Sequence, residues 1–134
     1  MDDIFVARLM TPDPYTVDPD TLVEDAAEAM LERGIGSVLV ADEDNRLEGI
    51  LTNTDFVQIV AERKPKDQTA VSAYMTTDVV TAGAQDPITE AADAMIERGF
   101  HHLPVVDEEE GVIGIVSTTD LTAYLSEVQS PSPA

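Results

Sequence analysis

The 134 residues carry 27 acidic against 7 basic side chains, a net charge of −20, with 43% apolar residues and no cysteine. The length suits one compact domain, and the missing cysteines exclude a disulfide framework and any thiolate metal site. The charge works against nucleic acid and anionic membrane, whose binding rests on Lys and Arg contacts to phosphate. The opening "MDDIFVARLM" has no basic n-region, so no secretory signal is expected, and no run approaches the ~18 apolar residues of a membrane span. The expected location is the cytoplasm.

A short strand is predicted at Tyr15–Val17, then a helix on which Thr21 and Glu24 have capping-box spacing. Val23, Ala26, Ala27, Met30 and Leu31 recur along it at helical spacing, and Gly34 stands where a C-terminal glycine belongs. "SVLVA" reads as a buried strand, "DEDNR" as a polar turn and "LEGILT" as the second strand of a hairpin. A helix is expected from about Asn53 to Glu62, followed by the polar linker "ERKPKDQTA". Its basic cluster Arg63, Lys64 and Lys66 reads as a solvated surface.

The order then starts again. At an offset of 65 residues the chain matches itself without a gap, "EDAAEAMLERG" over "TEAADAMIERG" and "VADEDNRLEGILTNTD" over "VVDEEEGVIGIVSTTD". The second copy predicts a strand at Val79–Thr81 and a helix capped by Asp86, with Pro87 at its first position. Ile88, Ala91, Ala92, Met95 and Ile96 form its apolar spacing and Gly99 its end. The hairpin "HLPVV"–"DEEEG"–"VIGIVS" follows, then a helix from Thr118 to about Glu127. The organisation is one compact module: repeat 1 at 1–64, a linker at 65–70, repeat 2 at 71–128 and a disordered tail at 129–134. Neither repeat is expected to be stable alone, since each is short and one face of its small sheet needs a cover. The fold class is mixed α/β (α+β), two β-α-β-β-α repeats about a pseudo-two-fold axis.

High net charge can signal disorder, but the periodic apolar residues argue for a core. Acidic excess with only two lysines is similar to the proteins of salt-loving archaea. At molar salt a Debye length of about 3 Å would screen the self-repulsion.

"GILTNTDF" (49–56) and "GIVSTTDL" (114–121) each run an apolar strand into Ser/Thr-x-x-Asp and a helix. Thr52 with Asp55, and Ser117 with Asp120, have the spacing of helix caps worth ~1 kcal/mol each. They equally suit a ligand: a carboxylate accepts from a ribose diol, and a helix N-terminus suits a phosphate or ribose oxygen. The two roles are compatible. His101 and His102 are neighbours on a strand and point to opposite faces, so they are not expected to chelate one metal together. No nucleophile–base arrangement, P-loop or paired-carboxylate motif stands out, so catalysis has no support.

The duplicated unit, with "GFHHLPVVD" (99–107), "GIVSTTD" (114–120), "LMTPD" and "YMTTD", resembles the cystathionine-β-synthase (CBS) domain, a tandem pair of which is a Bateman module. The resemblance covers all but the first residues and the tail. It implies an adenosyl ligand (AMP, ADP, ATP or S-adenosylmethionine) in the cleft between the repeats, and no required cofactor. One pocket would take Tyr15, Ile35, Gly36 and Ser37 with Ser117 and Asp120. The other would take Val80, Phe100, His101 and His102 with Thr52 and Asp55, and is read as the tighter. Leu39 departs from the family's usual proline, present as Pro104, and Gly36 and Ser37 stand where His101 and His102 stand in repeat 2. Only the second pocket then holds a cationic candidate, a protonated histidine. The resemblance further implies a homodimer through the helices and an output passed to an unidentified protein partner, or else a dimerisation module without a ligand.

Overall fold

The computed structural model describes residues 4–129, with side chains to 126. In chain order the elements are α1 (Val6–Leu9), β1 (Thr11–Pro12), β2 (Thr16–Val17), α2 (Val23–Arg33), β3 (Ser37–Ala41), β4 (Leu47–Thr52) and α3 (Asn53–Ala61). A 3₁₀ turn at Val71–Ala73 leads to α4 (Ile88–Arg98), β5 (His102–Asp107), β6 (Gly111–Ser117) and α5 (Thr118–Gln129). The fold is mixed α+β with two repeats of strands and helices. Gln129 closes α5, so the tail expected at 129–134 lies outside the described residues from 130 on. Among the described residues no helix is long and apolar enough to cross a membrane.

The chain divides into two compact units that do not follow the repeat boundaries. One is Tyr15–Val79; the other joins the residues up to Pro14 with those from Val80 onward. Each repeat's leading segment therefore packs into the unit built on the opposite repeat. Val6 and Val71, matched at the repeat offset, are both fully buried and each belongs to the opposite repeat's core.

In the Tyr15–Val79 unit, β2 runs parallel to β3 and β3 antiparallel to β4, giving the order β2-β3-β4. Val17, Val23, Ala26, Met30, Val38, Val40, Leu51, Ile59 and Val71 form its core. Helix α2 ends at Gly34 in the left-handed region (φ 64°), as the spacing predicts. The expected Thr21–Glu24 capping box does not form. Leu22 is the N-cap without a side-chain bond, the Val23 N–H donates to the Thr69 carbonyl at 2.8 Å, and Glu24 Oε1 accepts from the Gln68 N–H at 3.1 Å. Backbone from the linker takes one helix donor, the Val23 N–H, and occupies the Glu24 carboxylate that the box would have used. The linker is thus tied down: Leu22 bridges Ala70, the Tyr74 hydroxyl donates to the Pro65 carbonyl, and Lys64 Nζ lies 5.6 Å from the Tyr74 ring centroid.

The other unit has the order β1-β6-β5, all antiparallel. Its core is Val6, Ala82, Ala91, Met95, Leu103, Val105 and Val116. Its α4 N-terminus mirrors that of α2: the Ile88 N–H donates to the Ile4 carbonyl at 2.7 Å, and Phe5 bridges Pro87. Pro87 is the N-cap instead of the first helical residue, one position later than the expected cap, and Asp86 does not cap; its Oδ2 accepts from the Gly83 N–H at 2.7 Å.

The strand expected at Val79–Thr81 is reduced to a parallel bridge between Ala82 and Val105. The reason lies across the ladder. In the first unit the Leu39 N–H donates to the Tyr15 carbonyl (3.5 Å). The matched pair is Pro104 and Val80, and proline has no N–H to give. Only the flanking bonds survive, Ala82 N–H to the Pro104 carbonyl and Val106 N–H to the Ala82 carbonyl, each 2.9 Å.

Candidate functional site

In each unit, the topology gathers the sequence-predicted residues at one end of the sheet. In the Tyr15–Val79 unit, parallel β2 and β3 both begin there, and antiparallel β4 ends there and turns into α3. Tyr15 precedes β2, Ile35 and Gly36 lead from α2 into Ser37, and Ser37 pairs across the ladder with Thr52. The Gly36 carbonyl accepts from the Asn53 N–H at 3.1 Å, pinning the start of α3 to the start of β3. Ser37 is buried; Tyr15, Ile35, Gly36, Thr52 and Asp55 are half-buried.

The other unit repeats the arrangement. His102 pairs with Ser117, and the His101 carbonyl accepts from the Thr118 N–H at 3.0 Å. Val80, His102, Ser117 and Asp120 are half-buried, while Phe100 and His101 are exposed. Burial pushes the His102 imidazole below its ordinary pKa; the neighbouring His101 acts in the same direction by charge repulsion, and Asp120 opposes both.

The hydroxyl–aspartate turns form true caps. Asp55 Oδ2 accepts from the Thr52 N–H (2.7 Å) and hydroxyl (3.2 Å), in a reciprocal capping box. Asp120 Oδ2 accepts from the Ser117 N–H (2.8 Å) and hydroxyl (3.1 Å), and Ser117 Oγ accepts from the Asp120 N–H at 3.2 Å. The early donors of α3 and α5 that the sequence offered to a phosphate are thus partly taken, by the Gly36 and His101 carbonyls and by the caps. The described bonds fall on Oδ2, so each carboxylate keeps Oδ1 as an acceptor at the sheet end.

One residue at this end escapes the sequence reading. Arg33, in the last turn of α2, places its guanidinium carbon 4.1 Å over the Tyr15 ring. The Tyr15 segment therefore has a cation beside it, contrary to the expectation that only the histidine segment holds one. An arginine at a helix C-terminus ordinarily reads as a dipole partner; only the strand pairing brings it to Tyr15.

The family described as "CBS domain" matches residues 6–62 and again 71–127. An uncharacterized 17.7 kDa protein of Acidianus ambivalens is 35% identical over 93% of this chain and 75% of its own length. Among solved structures, the CBS domain pair of protein MJ0100 in complex with 5′-methylthioadenosine and S-adenosyl-L-methionine superposes with a TM-score of 0.84 at 26% identity, over 91% of this chain and 99% of that one. CBSX2 in complex with AMP gives 0.83 at 25% identity, over 93% and 98%. The chain spans only about a quarter of the homoserine O-acetyltransferase of Methanohalobium evestigatum, to which it is 29% identical.

Proposed function

This chain belongs to the CBS domain family, and on that premise we propose that it is a regulatory module that binds an adenosyl ligand. The observation that carries the proposal is the duplicated hydroxyl–aspartate turn at a sheet end lined by half-buried residues. Asp55 and Asp120 accept the ribose hydroxyls through their remaining oxygens. Ile35 or Phe100, with Tyr15 or Val80, supply the apolar slot for adenine, and Gly36, Ser37, His101 and His102 offer backbone and side-chain groups to the rest of the ligand. The ligands held by the MJ0100 pair and by CBSX2 support the class, and the ligand is one of AMP, ADP, ATP or S-adenosylmethionine. The chain works without catalysis or a required cofactor, in the cytoplasm. It passes the change to a protein partner or through self-association, because a ligand shifts an equilibrium only by differential affinity for its states.

A thermal-shift and calorimetry panel of these ligands tests the proposal, run at low and at molar KCl with Asp55→Ala and Asp120→Ala. A ligand at ~100 times its dissociation constant adds about 2.7 kcal/mol, a rise of several degrees. A saturable rise, lost in an Asp variant that stays folded, supports the reading. No rise with any ligand in folded protein overturns it.

The second reading, a dimerisation module without a ligand, is favoured by apolar side chains left in solvent. Leu31 on α2 is 84% exposed and its repeat counterpart Ile96 on α4 is 79% exposed; Val57, Val60 and Leu125 on α3 and α5 are also exposed. Large exposed apolar residues on several helices mark an interaction surface.

A further inference from the structure

The inference rests on the adenosyl reading above and concerns the charge of the ligand. Arg33 and Arg98 occupy matched positions in the last turns of α2 and α4, where either cation offsets the helix C-terminal carbonyls. That role needs no aromatic partner. The two differ in what stands at the start of the sheet: Tyr15 in one unit, Val80 at the matched position in the other. Only Arg33 can rest on a ring there, and it does, at 4.1 Å from the Tyr15 centroid. Stacking holds a flexible guanidinium in one place while leaving its N–H groups free to donate in its plane.

The location matters because of the rest of the chain. A net charge of −20 repels any phosphate approaching the protein. The other basic residues of this unit lie elsewhere along the chain: Arg46 in the β3–β4 turn, at the far end of the hairpin, and Arg63, Lys64 and Lys66 after α3. Of this unit's basic residues, Arg33 is the one seated on the Tyr15 ring, at the sheet end where Ser37, Thr52 and Asp55 also lie. We infer that Arg33, seated on Tyr15, is a specificity-determining residue of the adenosyl site, selecting a ligand whose 5′ substituent is anionic, such as a phosphate, over one that is neutral or cationic.

Three probes share the adenosyl group and differ in charge at the 5′ side: AMP is anionic, 5′-methylthioadenosine neutral and S-adenosylmethionine carries a sulfonium. Calorimetry on the full chain, resolved by class of site, compares wild type with Arg33→Gln, Arg33→Lys and the matched control Arg98→Gln. Arg33 is exposed, so these variants are expected to fold, and circular dichroism checks it. The expected result is AMP weakened about tenfold in Arg33→Gln, the size of one charge-assisted hydrogen bond. 5′-Methylthioadenosine stays unchanged, Arg33→Lys recovers part of the loss, and Arg98→Gln does not alter the ranking at that site. Equal weakening of AMP and 5′-methylthioadenosine would make Arg33 a mere prop for Tyr15 and overturn the charge selection, as would no change in either. If wild type binds none of the three, the adenosyl reading itself fails, and this inference with it.

Discussion

Met75 lies against Gly49 so closely that a Cβ on the glycine would meet its Sδ at 2.6 Å and the Thr76 carbonyl oxygen at 2.9 Å. The repeat counterpart is Met10 on Gly114, where an added Cβ would meet Sδ at 2.5 Å and the Thr11 carbonyl at 3.1 Å. In each unit the leading segment of one repeat is seated on the second hairpin strand of the other. The seat is a glycine because backbone, and not only a movable methionine end, approaches it. Gly49→Ala is therefore expected to destabilise by about 1–3 kcal/mol, roughly 4 °C of Tm per kcal/mol at this length. Gly114→Ala should cost less, since its carbonyl neighbour is farther. Thermal unfolding of the two variants ranks them, and an equal or reversed order contradicts the backbone argument.

The two aspartate caps predict a separation of stability from binding. Removing Asp55 leaves the Thr52 N–H without its acceptor, and removing Asp120 does the same to Ser117. Each alanine variant should lose about 1 kcal/mol of stability and remain folded. Asp55→Asn and Asp120→Asn keep an acceptor oxygen and should recover much of that loss. A carboxylate serving a ribose diol is a stronger acceptor than an amide, so ligand affinity should stay impaired in the asparagine variants. Denaturant unfolding beside calorimetry reads both quantities, and equal recovery of both would reduce these residues to caps.

The strands and helices were legible because their apolar periods are clean, and the buried Met30 and Met95 fall where helical spacing puts them. The exchange of leading segments was not. Val6 and Val71 have the same apolar character in either location, and spacing along a chain does not say which repeat's core a short segment enters. The misread caps share that cause: Thr21 and Glu24 have the right spacing, but the Thr69 carbonyl reaches the donor first. The lost strand at Val79–Thr81 was within reach, since Pro104 is visible in the sequence and its missing N–H cancels one rung. The Arg33–Tyr15 stack needed the sheet, because nothing local joins a helix end to the strand before that helix.

The exposed helix residues predict salt-dependent self-association. Leu31 and Ile96 cost free energy in water, and covering them favours a second copy, whereas two chains of charge −20 repel. Raising KCl to about 1 M shortens the Debye length to about 3 Å and should shift the chain toward dimer. Leu31→Glu and Ile96→Glu should return it to monomer with stability changed by no more than about 0.5 kcal/mol, as for exposed positions generally. Sedimentation velocity across the salt series reads the effect. A wild type that stays monomeric at all salts removes the dimer.

His102 gives stability a pH dependence whose direction is fixed. Burial, helped by the charge of His101 and opposed by Asp120, holds its native pKa below the ordinary 6.5. Between those two values the unfolded chain binds more protons than the native one, so stability rises with pH. The contribution is fully present above 6.5 and is lost as the pH falls toward the native pKa, below which the loss levels off. The informative quantity is a difference between proteins that share every other titratable group. His102→Gln cannot titrate, and its Tm between about pH 8 and pH 5 should fall less steeply than that of wild type. His101→Gln should retain most of the wild-type slope, because it removes only the secondary cause. Parallel curves for wild type and His102→Gln would mean that the imidazole is solvated alike in the folded and unfolded chain.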